Sequence, residues 1–112
     1  MNMNKPSYFP PSFPRHNILG VEVSAINMQD ALTTIRGWVE RNEPNYVCVT
    51  PAHAVMECVK DGGLRLIYNQ AGLVTPDGMA IVWLLKLAGF SRVSRVYGPD
   101  LLRAACAESL LR

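Results

Sequence analysis

The amino-acid sequence predicts the α/β fold class, with a mainly parallel sheet covered by helices on both faces. Strand-like and helix-like segments alternate along 112 residues, which is the size of a single domain. Apolar residues make up 49% of the chain and charged residues only 18%, so it can bury a core. Residues 1–16 are rich in proline, and we expect them to form a flexible arm ahead of a folded body of residues 17–112.

The sequence of the first half of the folded body predicts a β-ribbon, a helix and a strand. The ribbon covers residues 18–23, where apolar residues surround a glycine. Asn27 is a candidate N-cap for a helix that reaches about Arg41, because apolar residues recur at helical spacing behind it. Residues 45–50 are short, apolar and β-branched, which favours a central parallel strand covered on both faces.

The second half continues the alternation of helices and strands. Glycines and prolines mark the boundaries between the segments. The helix predicted at residues 79–89 is the most apolar segment of the chain, which is typical of a buried helix. The predicted helices are residues 51–60, 64–70, 79–89 and 99–112, and the predicted strands are residues 73–76 and 93–97.

Composition argues against several classes of function. Eleven Lys and Arg against nine Asp and Glu leave a net charge of +2 without a basic tract, so we expect no nucleic-acid partner. The longest apolar run, residues 79–85, is far below the roughly 20 residues that cross a bilayer. Prolines interrupt the N-terminus where a signal peptide needs its apolar stretch, so we expect a cytoplasmic protein. The three cysteines are widely spaced, and we expect all of them to be buried thiols.

Three segments are candidates for chemistry because each follows a predicted strand and opens a predicted helix. They begin at Thr50, Thr75 and Arg95. Ligands of open parallel sheets collect at the carboxyl ends of the strands, where helix N-termini also favour anions. We therefore expect the three segments to lie side by side around a common site.

Asp77 is the most informative residue of these segments. It lies between Pro76 and Gly78 and leads into the strongly apolar helix. A carboxylate at this place would occupy a partly desolvated cleft and would suit proton abstraction. The alternative is that Asp77 only caps the N-terminus of that helix.

The other two segments also leave alternatives open. Thr50 and His53 suit the binding of a substrate hydroxyl or phosphate, but a threonine there often caps a helix and a lone histidine is often a partly buried polar side chain. Arg95, near Gly98 and a helix N-terminus, is a candidate anion clamp or a surface charge paired with Asp100. The two histidines have no metal-ligand spacing, so we expect no metal and no other cofactor.

Four strings along the chain carry a family resemblance. ILGVEV, YVCVTPAHAVMEC, NQAGLVTPDGMAIVWLLKLAGF and RVYGPDLL occur in this order, with PDGM and RVYGPDLL at a specific separation. In these strings the chain resembles the WecG/TagA/CpsF glycosyltransferases (glycosyltransferase family 26) from about residue 17 to residue 112. The resemblance implies a Rossmann-like three-layer sandwich with a mainly parallel sheet, of which this chain is the N-terminal, incomplete part.

The same resemblance implies an activity. Such an enzyme is an inverting glycosyltransferase of surface polysaccharide assembly, without a metal ion. It moves a sugar from a UDP-sugar donor to a polyprenyl-diphosphate-linked saccharide acceptor, as a peripheral protein at the inner face of the membrane. The donor sugar stays open among N-acetylmannosamine, its uronic acid and glucose. By position, Asp77 corresponds to the general base. The substrate-binding residues are expected to be Thr50, His53, Gly78, Arg95, Gly98 and Asp100.

Two departures from the family keep other outcomes open. Many members carry an asparagine shortly after the strand-end threonine, where this chain has Pro51, Ala52 and His53. Members are also about twice as long, so an alternative is a non-catalytic remnant that binds a nucleotide or a partner protein. A sheet cut at this point would leave apolar surface on the helix of residues 79–89, and we expect the chain to form a homo-oligomer or to aggregate.

Overall fold

The structure is a computed structural model, and it describes residues 13–110. Its five helices and four short strands are mixed along the described chain, which confirms the predicted α/β class. The strands are β1 (Arg15–Ile18), β2 (Val21–Ser24), β3 (Val47–Thr50) and β4 (Leu73–Pro76). The helices are α1 (Met28–Glu40), α2 (Ala52–Lys60), α3 (Gly62–Gln70), α4 (Met79–Leu87) and α5 (Gly98–Leu110).

The strands form two pairs that are linked by a side chain. β1 and β2 pair as an antiparallel hairpin, and the turn between them places Leu19 and Gly20 at positive φ. β3 and β4 pair in parallel. Between the two pairs, the Oγ of Ser24 accepts a hydrogen bond from the backbone N–H of Val74 at 3.0 Å. This contact holds the hairpin beside β4 without a backbone ladder.

The core lies on both sides of β4, all four residues of which are buried. Because successive side chains of a strand point to opposite faces, Leu73 and Val74 enter different apolar clusters. Leu73 joins side chains of α1 and α5, whereas Val74 joins side chains of the hairpin, α2 and α4. The arrangement is that of three layers, and it is consistent with an incomplete Rossmann-like domain.

Two strand predictions need correction. β3 pairs only with β4 among the described residues, and the side chains of Val47–Val49 are half-buried, so β4 and not β3 is the covered strand. The predicted strand at residues 93–97 is not a strand. It runs past the end of β4 and makes one backbone hydrogen bond to it, from the N–H of Val96 to the carbonyl of Pro76 at 2.7 Å. One such bond does not make a ladder.

Several boundaries also differ from the sequence-based expectations. β1 begins at Arg15, inside the predicted arm, and residues 1–12 of that arm lie outside the described residues. The last predicted helix begins at Gly98, and residues 111–112 lie outside the description. Within residues 13–110, no helix is long and apolar enough to cross a bilayer.

The cysteines and α4 are less buried than expected. Cys106 is exposed, so the prediction of three buried thiols is wrong. Burial raises the pKa of both the Cys48 and the Cys58 thiols, so these two stay protonated to a higher pH than an ordinary thiol does. α4 buries only one side, because Trp83 is 61% exposed and Leu87 85% exposed.

Candidate active site at the ends of the parallel strands

The three candidate segments meet at the carboxyl ends of β3 and β4. The backbone N–H of Asp77 donates to the carbonyl of Thr50 at 3.3 Å, which joins the first two segments. The bond from Val96 to Pro76 brings the third segment to the same place. These contacts place the residues after the two strands beside the chain that enters α5.

Asp77 does not cap the apolar helix. The N-cap position of α4 is taken by Gly78, and no side chain caps the helix there, so the capping alternative is wrong. The Asp77 side chain, which is 12% exposed, instead accepts a hydrogen bond from the Nε of Arg95 at 2.9 Å. A nearly buried carboxylate therefore lies at a strand end with a cation as its partner.

Arg95 is the cation of this site. It is not paired with Asp100, which instead lies 3.3 Å from a guanidinium nitrogen of Arg103, so the alternative of an Arg95–Asp100 surface pair is wrong. The Cζ of Arg95 lies 4.6 Å from the centroid of the Tyr97 ring. Within residues 13–107, Asp77 and Tyr97 are the only side chains that Arg95 contacts by an ion pair, a hydrogen bond or a ring.

Thr50 and His53 are placed differently from each other. Thr50 is fully buried, and its Oγ1 donates to the carbonyl of Cys48 at 3.2 Å, so its hydroxyl is not available to a ligand in this conformation. The N-cap of α2 is Pro51, so Thr50 does not cap that helix either. His53 is exposed in the first turn of α2, so the alternative of a partly buried histidine is wrong.

The two glycines of the site shape it in different ways. Gly78 has φ +110°, which favours glycine, and a Cβ built there would meet nothing within 4 Å. The space next to Asp77 is therefore open. A Cβ at Gly98 would instead lie 3.1 Å from a methyl group of Val49, so glycine at this position lets the start of α5 approach β3 closely.

The arrangement can combine proton transfer with anion binding. Asp77 offers a carboxylate, and Arg95, whose side chain is 47% exposed, offers a guanidinium that a charged ligand can reach. Among residues 13–110, no three His, Cys, Asp or Glu side chains are grouped as metal ligands. A surface depression of about 590 Å³ lies at the end of α1 and in the loop before β3, away from this carboxylate.

Sequence reasoning gave no role to Tyr97, although it lies in one of the predicted segments. Its contact with Arg95 had a sequence signal, because side chains two residues apart in an extended segment point to the same side. The sequence predicted a strand at residues 93–97, so this spacing could have indicated the contact. The structure therefore adds an aromatic ring to the predicted set.

Comparison with known protein families matches most of the chain. A family model described as the Glycosyl transferase WecG/TagA/CpsF family matches residues 16–110, a range that includes all three candidate segments. A search of curated proteins found no match. Because the family model covers most of the chain, the protein belongs to the WecG/TagA/CpsF family of glycosyltransferases.

Proposed function

We propose that the protein acts as an inverting glycosyltransferase in surface polysaccharide assembly. The donor is a UDP-sugar that carries N-acetylmannosamine or another hexose, and the acceptor is a saccharide linked to polyprenyl diphosphate. Family membership supports the class of reaction. The observation that carries the proposal for this chain is the Asp77 carboxylate, which lies at a strand end, does not cap a helix and is paired with Arg95.

The reaction is a single displacement. An acceptor hydroxyl oxygen attacks the anomeric carbon of the donor while its proton passes to Asp77. The bond between the anomeric carbon and the diphosphate oxygen breaks with its electron pair, and UDP leaves. Because the attack comes from the side opposite the leaving group, the configuration at the anomeric carbon inverts.

Arg95 supplies positive charge for the leaving diphosphate. Its Nε is used by Asp77, so its two terminal nitrogens can donate to phosphate oxygens. The N-terminus of α5 begins three residues later and adds the partial positive charge of its free N–H groups. The proposal places Gly78, Gly98, His53 and Asp100 around the substrates and involves no metal ion.

The acceptor determines where the reaction occurs. A polyprenyl chain is anchored in the bilayer, so we propose that the protein works as a peripheral protein at the inner face of the cell membrane. Thr50 is buried and therefore contributes through its backbone carbonyl, which accepts a hydrogen bond from the N–H of Asp77.

Two measurements test the function. Calorimetric titration with UDP reports donor binding, and UDP release from a UDP-sugar in the presence of a polyprenyl-diphosphate-linked saccharide reports transfer. We expect both, with donor sugars compared in parallel. Binding without transfer would favour the alternative, a non-catalytic nucleotide-binding remnant of the fold. Absence of both would contradict the proposal and leave an ordinary α/β scaffold.

A further inference from the structure

Tyr97 lies against the functional arginine without using any of its N–H groups. The Cζ of Arg95 is 4.6 Å from the ring centroid, so the ring contacts the guanidinium through its π-electrons. The Nε of the same guanidinium donates to Asp77 at 2.9 Å. Both terminal nitrogens therefore stay available, because a ring contact occupies no donor.

Hydrogen bonds hold the backbone from which the ring projects. The preceding residue, Val96, is fully buried, and its N–H donates to Pro76 at 2.7 Å. The carbonyl of Tyr97 accepts from the N–H of Leu101 at 3.0 Å, which ties it to the first turn of α5. The Tyr97 ring therefore projects from backbone that is hydrogen-bonded to both β4 and α5 and has few rotamers, whereas the long Arg95 side chain is 47% exposed and has many.

We propose that Tyr97 is a positioning residue for Arg95. Its ring holds the guanidinium so that Nε faces Asp77 and the two terminal nitrogens face the donor diphosphate. This inference rests on the proposed function, in which Arg95 binds that diphosphate. Without the ring, the guanidinium keeps its charge but distributes over more rotamers, and each diphosphate contact then costs more entropy.

The substitutions Tyr97→Leu and Tyr97→Phe test the role of the ring. Phenylalanine keeps the aromatic face and loses only the hydroxyl, whereas leucine loses the face. Tyr97 is 42% exposed, so both variants are expected to fold, and thermal melts check this. At an exposed site the loss of a cation–π contact corresponds to a weakening of about two- to fivefold. We expect Y97L to weaken UDP binding by this factor and Y97F to change it little.

A charge-dependent readout separates positioning from a general structural role. Uridine lacks the diphosphate, so Y97L should leave uridine binding unchanged. In the Arg95→Ala background, Y97L should have no further effect on UDP binding, because the group that the ring positions is absent. Equal weakening of uridine and UDP, or an undiminished effect of Y97L in the Arg95→Ala background, would overturn the proposal.

A measurement without ligand keeps this inference separable from the proposed function. In an NMR spectrum of the protein with ¹⁵N-labelled arginine, the Nε–H of Arg95 should exchange slowly with water because Asp77 accepts it. Y97L should speed up this exchange and Y97F should not. Unchanged exchange in Y97L would refute the positioning role even if UDP binds. Faster exchange in a protein that does not bind UDP would instead refute the donor site.

Discussion

Asp77 is the residue on which the chemistry depends. Its carboxylate is nearly buried, it accepts a hydrogen bond from Arg95, and its backbone N–H is held by Thr50. We expect Asp77→Asn to lower the rate of UDP release with acceptor by about 10²- to 10⁴-fold, because an amide cannot take the acceptor proton. The thermal melt should change little, since the amide oxygen can still accept from Arg95.

A matched change of an exposed carboxylate controls for the loss of charge. Glu57 lies exposed on α2 and is not part of the proposed site, so Glu57→Gln should keep full activity. Full activity in Asp77→Asn as well would remove Asp77 from the mechanism.

Gly78 sets the direction of the chain as it leaves Asp77. With φ +110° and ψ +141°, it adopts a conformation that side chains rarely enter, although no neighbouring atom would obstruct a Cβ. Gly78→Ala should therefore destabilise the fold through backbone strain alone, by about 1–3 kcal/mol in urea unfolding.

A second glycine provides the control for this backbone effect. Gly63 lies in α3, and its Cβ would make an ordinary 3.4 Å contact with Asp61, so Gly63→Ala should be neutral or stabilising by up to about 1 kcal/mol. Equal stability changes in the two variants would show that φ at position 78 is not the cause.

At the scale of elements, one side chain connects the hairpin to the parallel pair. Ser24 is 2% exposed, and its Oγ is the acceptor for the buried N–H of Val74 on β4. Ser24→Ala would leave that N–H without a partner, so we expect a loss of about 1–3 kcal/mol in urea unfolding. Ser94 is exposed and lies outside the strands, so Ser94→Ala should be nearly neutral. A neutral Ser24→Ala would mean that another acceptor takes over.

The strand predicted at residues 93–97 does not form, although the segment is apolar. The apolar residues Val93 and Val96 are buried, but Val96 makes the only backbone hydrogen bond between this segment and β4. The helix α5 begins at Gly98, immediately after it, so the segment turns away before a ladder can extend. Burial and strand pairing are separate requirements, and the sequence pattern reports only the first.

For the whole molecule, the exposed side of α4 governs association. This apolar face consists of Met79, Trp83, Leu84 and Leu87, each at least 46% exposed. Apolar surface of this kind favours self-association, so we expect wild-type protein at micromolar concentration to sediment as an oligomer or to aggregate. Trp83→Glu together with Leu87→Glu should shift it towards monomer, with little loss of stability because both side chains are mostly solvated.

An exposed apolar residue elsewhere tests whether the effect belongs to this face. Leu66 on α3 is 56% exposed, and Leu66→Glu should leave sedimentation unchanged. A wild-type monomer with a sharp melt that does not depend on protein concentration would contradict the role of α4 and show that these residues close their own core.

The sequence by itself determined the α/β class and which three segments meet at the carboxyl ends of the parallel strands. Both depend on local information, because apolar periodicity distinguishes helices from strands. The order of the predicted elements puts Thr50 at the end of a strand, Asp77 just after a strand and Arg95 shortly before a helix. The family strings fall on the same segments, and the family match confirms the resemblance to the WecG/TagA/CpsF glycosyltransferases. The roles of the individual site residues stay predictions.

Only the tertiary structure decided which side chains pair and which strand is covered. The sequence left Asp77 open between a helix cap and a base for proton abstraction, and it did not indicate the side chain that Asp77 contacts, because Arg95 lies 18 residues away in sequence. β3 and β4 have similar apolar sequences, yet only β4 is buried at all four of its residues, whereas three of the four residues of β3 are half-buried. Such outcomes depend on the approach of distant segments, and a periodicity within one segment carries no information about that approach.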